Sequence, residues 1–452
     1  MNAALDELFR WVAQLRVEDV PAPVRANARA RVLAGWAAAR DEGVASAGDA
    51  PRVVASAERD DPVFGGRTGL TAPFLALHAE GADLDHAVVA SILADEVGGR
   101  VGLATLFGDR GAAVDLLPAV VGGAAARAWL EGADAGELRR AVEGAVALVG
   151  ASGEPDAAWR AVTTDTTGGA SGALEAAITS RTERARAGAL TGAGRVWLAD
   201  TAWLRRFPGP LAAAPALEAL DTILERHVKA ADKRLRADQV EGVEIRVAQP
   251  AWRALGGACG AYAFEPGVAS PIADLVGVLV AHHDLAPGSR GASGRAQRAE
   301  EITRVAERVR VVHDWSLTAQ GWTAWSGVAA PLLGGPRGVV GLVKAARDRG
   351  AWPCLGRADV LPLLKAHPER WFKDVGTEVR DLAALDLPAW SWPMPTQVRL
   401  ATTRGGNWPE RRAGPQVPGP VAGARARHPR ADALLAVPGH TRVETWLAEV
   451  LA

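Results

Sequence analysis

Cysteine is nearly missing. The two present in 452 residues, Cys259 and Cys354, stand alone without CxxC spacing, which excludes a disulfide framework or a zinc site built on thiolates and leaves two small core residues. Lysine is also scarce: Lys229, Lys233, Lys344, Lys365 and Lys373 are the whole set, and every other basic side chain is arginine. Neither sign of charge is in excess, since 51 basic against 52 acidic residues give a net charge of −1. Such a balance provides no global field to hold nucleic acid or an anionic membrane, and it points to a small-molecule or protein partner. No apolar run approaches the roughly 20 residues of a membrane span. The opening MNAALDELFRWVAQLR mixes acids and bases with apolar residues at helical spacing, unlike a secretory segment. A soluble cytoplasmic protein is expected. Phosphate-cradling loops are missing too: TTGGASGA lacks GxGxxG spacing after a strand, and GGPRGVVG lacks the P-loop lysine. The nine histidines show no ligand spacing. Neither a cofactor nor a metal is expected.

What the chain does contain changes character near residue 210. Before it, Ala, Leu, Val, Gly and Arg recur with apolar residues three and four apart, predicting helices over 3–16, 21–40, 69–80, 84–106, 113–131, 135–150, 168–187 and 199–206. After it, a helix over 215–235 gives way to three stretches with strand alternation: QVEGVEIRVAQP, ERVRVVHDW and PTQVRLATT. Helices lie between them, including PIADLVGVLVAHHDL, so this part reads as an α+β unit with a small sheet. Residues 315–395 are rich in Trp, Gly and Pro, and seven indoles there bury apolar area or line a pocket. GPQVPGPVAGA reads as a linker, and TRVETWLAEVLA as a closing helix.

Five stretches stand out in order along the chain: LFRWVAQLRVEDVPAPVRANARARVL, LALHAEGADLDHAVVASILADEVGGRVGLA, LTGAGRVWLADTAWLRRF, RLRADQVEGVEIRVAQPAWRAL, and ASPIADLVGVLVAHHDLAPG followed by ERVRVVHD. In sequence and in order they resemble stretches of the MmgE/PrpD family of 2-methylcitrate dehydratases and cis-aconitate decarboxylases. The resemblance implies a mainly α fold: a large all-helical domain (1–210), a smaller α+β lid domain (211–420) carrying the Trp-rich insertion, and a C-terminal segment (421–452) returning to the helical domain. It also implies a homodimer. The family's counterpart of residues 84–104 is a buried scaffold helix, on which Asp95, Glu96 and Arg100 are close enough to pair.

The family's polar site groups are largely missing. Its members place a histidine in "GWHpT" and a lysine in "K..h.G.aA", but here no lysine precedes Lys229 and no histidine lies between His86 and His227. At the second of these places the chain reads TTDTTGGASGALEAA, which offers the hydroxyls of Thr164 and Thr166; at a further lysine site it reads RRFPGPLAAAPALEAL, which offers Arg205 and Arg206. In ERDDPVFGGRTG, Asp60 and Asp61 stand where the family has an acidic phrase. Such a pair can share a proton and raise one member toward a general-base role, with Arg67 near enough in sequence to bind a carboxylate. His313, at a strand end beside Asp314, is a further substrate-binding candidate. His282 and His283 read as companions of a helix C-terminus.

Three functions fit these residues. One is a cyclisation or isomerisation of a largely apolar small molecule, as in secondary metabolism, with Asp60 or Asp61 catalytic and Arg67, Thr164, Thr166, Arg206 and His313 binding substrate. A second is a dehydratase, decarboxylase or isomerase acting on a small carboxylate. The third is a non-catalytic binding or scaffold protein that retains the fold.

Overall fold

The computed structural model describes residues 2–41, 82–104, 117–149, 172–181, 187–201, 207, 211–248, 251–252, 255, 271–283, 296–314, 316–318, 320–321, 394–414, 424–425 and 428–451. These residues are mostly helical, with one four-stranded mixed sheet. They fall into two compact units, one holding the residues up to 201 and from 424 onward, the other those from 207 to 414.

The first unit is helical. It contains α1 (Asn2–Gln14), α2 (Ala22–Asp41), α3 (Leu84–Ala104), α4 (Leu117–Leu130), α5 (Ala135–Val149) and α6 (Ala173–Arg181). Leu5, Leu8, Phe9 and Val12 give α1 a single buried stripe at steps of three and four. By contrast α3 is buried on every side; past its first turn no residue from Ala87 to Ala104 reaches solvent appreciably. That demands a sequence apolar all round, which VVASILA and VGLA supply. Asp83 caps its N-terminus, with the His86 amide donating to Oδ1 at 2.9 Å. Partial burial works against the Asp83 carboxylate, but hydrogen bonds from the backbone and ring of His86 hold its pKa below the ordinary value.

Small residues set how closely α3 and α4 approach. A Cβ on Gly98 would lie 2.4 Å from the Pro118 carbonyl oxygen, and one on Gly122 would lie 2.2 Å from that of Ala94. Only glycine fits at either crossing point.

The C-terminal helices of the chain, α10 (Ala431–Ala436) and α11 (Val443–Leu451), belong to this same unit. The amides of Leu84 and Asp85 donate to the carbonyls of Thr441 (2.8 Å) and Gly439 (3.0 Å), while Arg29 of α2 donates to the carbonyls of Leu434 and Val437. Trp446 is buried and its indole N–H reaches the Leu434 carbonyl at 3.0 Å.

The second unit contains α7 (Ala214–Ala231), β1 (Val240–Val247), α8 (Pro271–Ala281), α9 (Ala299–Ala306), β2 (Val309–His313), β3 (Thr396–Thr402) and β4 (Asn407–Arg412). The strand order is β2-β1-β3-β4. β1 runs parallel to β2 and antiparallel to β3, and β3 pairs antiparallel with β4. Alternation puts Val243, Ile245, Val247, Val311, Val398 and Leu400 on one sheet face, packed with Leu217, Leu220 and Leu224 of α7 and Ile272, Val276 and Leu279 of α8. α7 ends where Asp232 adopts a left-handed conformation, φ 50°.

The sequence pattern anticipates β1, β2 and β3 but not β4. NWPERR has no apolar alternation and contains Pro409, which is tolerated because β4 is an edge strand. The helix expected over 69–80 lies outside the described residues, as do most of the Trp-rich stretch and the linker. The span expected as a helix at 199–206 begins as a 3₁₀ turn, Leu198–Thr201.

Candidate functional site

Of the candidate residues named above, Asp60, Asp61, Arg67, Thr164, Thr166 and Arg206 lie outside the described residues, and His313 lies within them. It closes β2, buried, with Nε2 2.9 Å from the Thr318 hydroxyl. That hydroxyl donates to the Asp314 carbonyl at 3.0 Å, so the ring nitrogen is the donor toward it. The Asp314 carboxylate caps the turn that follows, accepting from the amide and hydroxyl of Ser316 and the amide of Leu317. Partial burial opposes its ionisation, but these hydrogen bonds and the charge of Arg246 keep its pKa below the ordinary carboxylate value.

Three charged side chains of α3, Asp95, Glu96 and Arg100, are interior. Asp95 receives the guanidinium of Arg31 on α2 at 2.7 Å. Glu96 pairs with Arg100 at 3.0 Å, one helical turn on, with both side chains 0% exposed. Arg100 also donates to the carbonyls of Thr191 (2.6 Å) and Val196 (2.9 Å), and the Ala199 amide donates to Glu96 at 2.8 Å. One ion pair therefore ties α3 to the irregular stretch 187–201, whose backbone polar groups need partners. The second ties α3 to α2. Sequence spacing suggested the Glu96–Arg100 pair; the Arg31–Asp95 pair joins residues 64 apart and leaves no local signal.

Burial pushes the Glu96 carboxyl up to about 7 from 4.5, against the opposing effects of Arg100 and the Ala199 amide, with Asp95 adding to the rise. A group whose folded pKa is raised binds its proton more tightly when folded, so its contribution is complete below about 4.5 and is lost as pH rises through about 7. Wild-type stability is expected to fall across that window, and Glu96→Gln is expected to flatten the fall. Urea unfolding midpoints taken at intervals from pH 5 to 7.5 measure this; parallel pH profiles for the two proteins would contradict it.

The α+β unit brings acids of α7 to the helix-end histidines His282 and His283. Glu218 and Asp221, one turn apart on α7, are both buried. Asp221 Oδ1 lies 3.5 Å from His283 Nε2, and His282 beside it is buried. A carboxylate facing an imidazole can orient the ring and share a proton with it. The helix end itself is stabilised differently: Arg234 and Arg298 both donate to the Ala281 carbonyl. Signals for this set were faint because Glu218 and Asp221 sit within an otherwise amphipathic helix pattern.

Among the described residues, no group of three or more His, Cys, Asp or Glu side chains is arranged to hold a metal ion. No helix among them is long and apolar enough to cross a membrane. Comparison of the sequence with protein-family models and with curated proteins returns no match.

Proposed function

We propose that this chain is an enzyme of the MmgE/PrpD type whose cleft serves a largely apolar small molecule, which it isomerises or cyclises without a cofactor. One observation carries the reading: the cations buried among the described residues of the helical unit, Arg31 and Arg100, pair with Asp95 and Glu96, and Arg100 donates also to two backbone carbonyls. They serve the fold, and with no lysine before Lys229 they are not replaced by ammonium groups that would hold a tricarboxylate. A substrate of low charge needs chiefly shape, exclusion of water and one or two polar groups.

In this proposal Asp60 or Asp61 is the general base, the pair sharing a proton. Arg67, Thr164, Thr166 and Arg206 bind the substrate's few polar atoms, with His313 a further contact. The division of the described residues into a helical and an α+β unit supports the corresponding domain plan, with the α+β part a lid inserted before the C-terminal segment. A cytoplasmic homodimer completes the reading.

Mass balance separates the chemistries. Isomerisation and cyclisation conserve molecular mass, whereas a dehydratase removes water and a decarboxylase removes carbon dioxide. Incubation with a panel of neutral polyenes and with 2-methylcitrate and cis-aconitate, followed by chromatography and mass spectrometry, is expected to give a new peak of unchanged mass from a neutral compound. Asp60→Asn or Asp61→Asn should lower that turnover at least about 100-fold, as loss of a general base does. Loss of water or carbon dioxide from the tricarboxylates would overturn the reading.

A further inference from the structure

The sheet face opposite the core carries one arginine from each of its four strands: Arg246 on β1, Arg310 on β2, Arg399 on β3 and Arg411 on β4. Registers fix their arrangement. Glu244 stands opposite Arg310 on one side and Arg399 on the other, while Gln397 stands between Arg246 and Arg411. Arg310, Arg399 and Arg411 are exposed. Among the described residues Arg246 pairs with two carboxylates beside this face, Glu244 at 2.8 Å and Asp314 at 3.5 Å. Arg411 donates to Gln397 at 3.3 Å. Among the described residues no carboxylate forms an ion pair with Arg310, Arg399 or Arg411.

We propose that this face docks an acidic segment of a partner protein. Charge complementarity is the argument. Three exposed guanidiniums project from a rigid sheet, and arginine binds carboxylates through a planar fork that gives direction as well as attraction. Adjacent strands are roughly 4.8 Å apart, so Arg310 and Arg399, two strands apart, are separated by about 10 Å, a spacing that discrete carboxylates on an extended chain can match. Val312, Ala401 and Pro409 lie on the same face and add apolar surface beside the arginines. Nucleic acid fits less well. Among the described residues the face holds no aromatic side chain on which a base would stack, and Glu244 interrupts the positive row that a continuous phosphate backbone would follow. The inference is independent of the proposed reaction.

Fluorescence anisotropy with the full-length protein tests it, using a labelled peptide of alternating Glu and Ala, about twelve residues long, enough to cross four strands when extended. A labelled oligothymidine of equal charge is the comparison. The peptide is expected to bind with an affinity that falls as salt rises. Arg310→Glu with Arg399→Glu should weaken it at least about tenfold, as loss of two exposed ion pairs and added repulsion would. Arg310→Gln with Arg399→Gln, a milder change for the fold, should give a smaller loss in the same direction. Arg10→Glu, in the helical unit, should leave binding unchanged. No peptide binding, equal binding by every variant, or tighter binding of the oligothymidine would each overturn the proposal.

Discussion

Glu96→Met is expected to lower the unfolding free energy by about 4 kcal/mol, the cost of removing one partner from a buried ion pair. The substitution takes the carboxylate from beside a guanidinium that cannot shed its charge, and it deprives the Ala199 amide of its acceptor. Arg100→Met is expected to cost less, about 3 kcal/mol, even though it abandons the carbonyls of Thr191 and Val196. The difference has a physical source: with its pKa already near 7, Glu96 can take up a proton once Arg100 is gone, whereas Arg100 has no such escape. Guanidinium-chloride unfolding of the two single variants and of the double variant measures this. The double variant should be more stable than the sum of the two losses predicts, because the second substitution removes a group that the first has left buried. Equal and near-zero losses would show that the pair does not hold α3 in place.

The second large effect is at the α3–α4 crossing. Gly98→Ala and Gly122→Ala are each expected to destabilise by about 2 kcal/mol, as overpacking does. The sign is the informative part, because alanine in a helix interior is ordinarily better than glycine by roughly 0.5–1 kcal/mol. Here each new methyl meets a backbone carbonyl of the facing helix at 2.4 and 2.2 Å, and backbone cannot rotate aside as a flexible side chain would. Once one methyl has pushed the helices apart the other is partly accommodated, so the double variant should lose less than the sum. Chemical unfolding midpoints measure both; stabilisation by either alanine would mean that the helices are further apart than described.

These two sets of residues also show how far the sequence could be read. Periodicity predicts α3 over 84–106 against an observed end at Ala104, and every residue from Ala87 to Ala104 is buried. Its partners were not legible, because a contact such as Arg31 with Asp95 depends on how two helices cross and not on the spacing within either. Gly98 and Gly122 likewise look like ordinary members of a glycine-rich chain until the crossing point is known. In the sheet, alternating apolar residues revealed the three strands that bury a face, while β4 escaped because an edge strand with Pro409 need not alternate in that way. Asp221 and His283 come from elements far apart in sequence, so nothing in either stretch announced their approach to 3.5 Å. The proposed base pair, Asp60 and Asp61, rests on sequence and lies outside the described residues.

In the proposed function the cations buried among the described residues of the helical unit, Arg31 and Arg100, serve the fold, and the substrate is one of low charge. Isothermal titration of the protein with cis-aconitate at low ionic strength tests this most directly. No saturable heat is expected at millimolar ligand. A one-to-one isotherm that weakens steadily with added salt would mean that cations do converge on a carboxylate site, and would contradict the account.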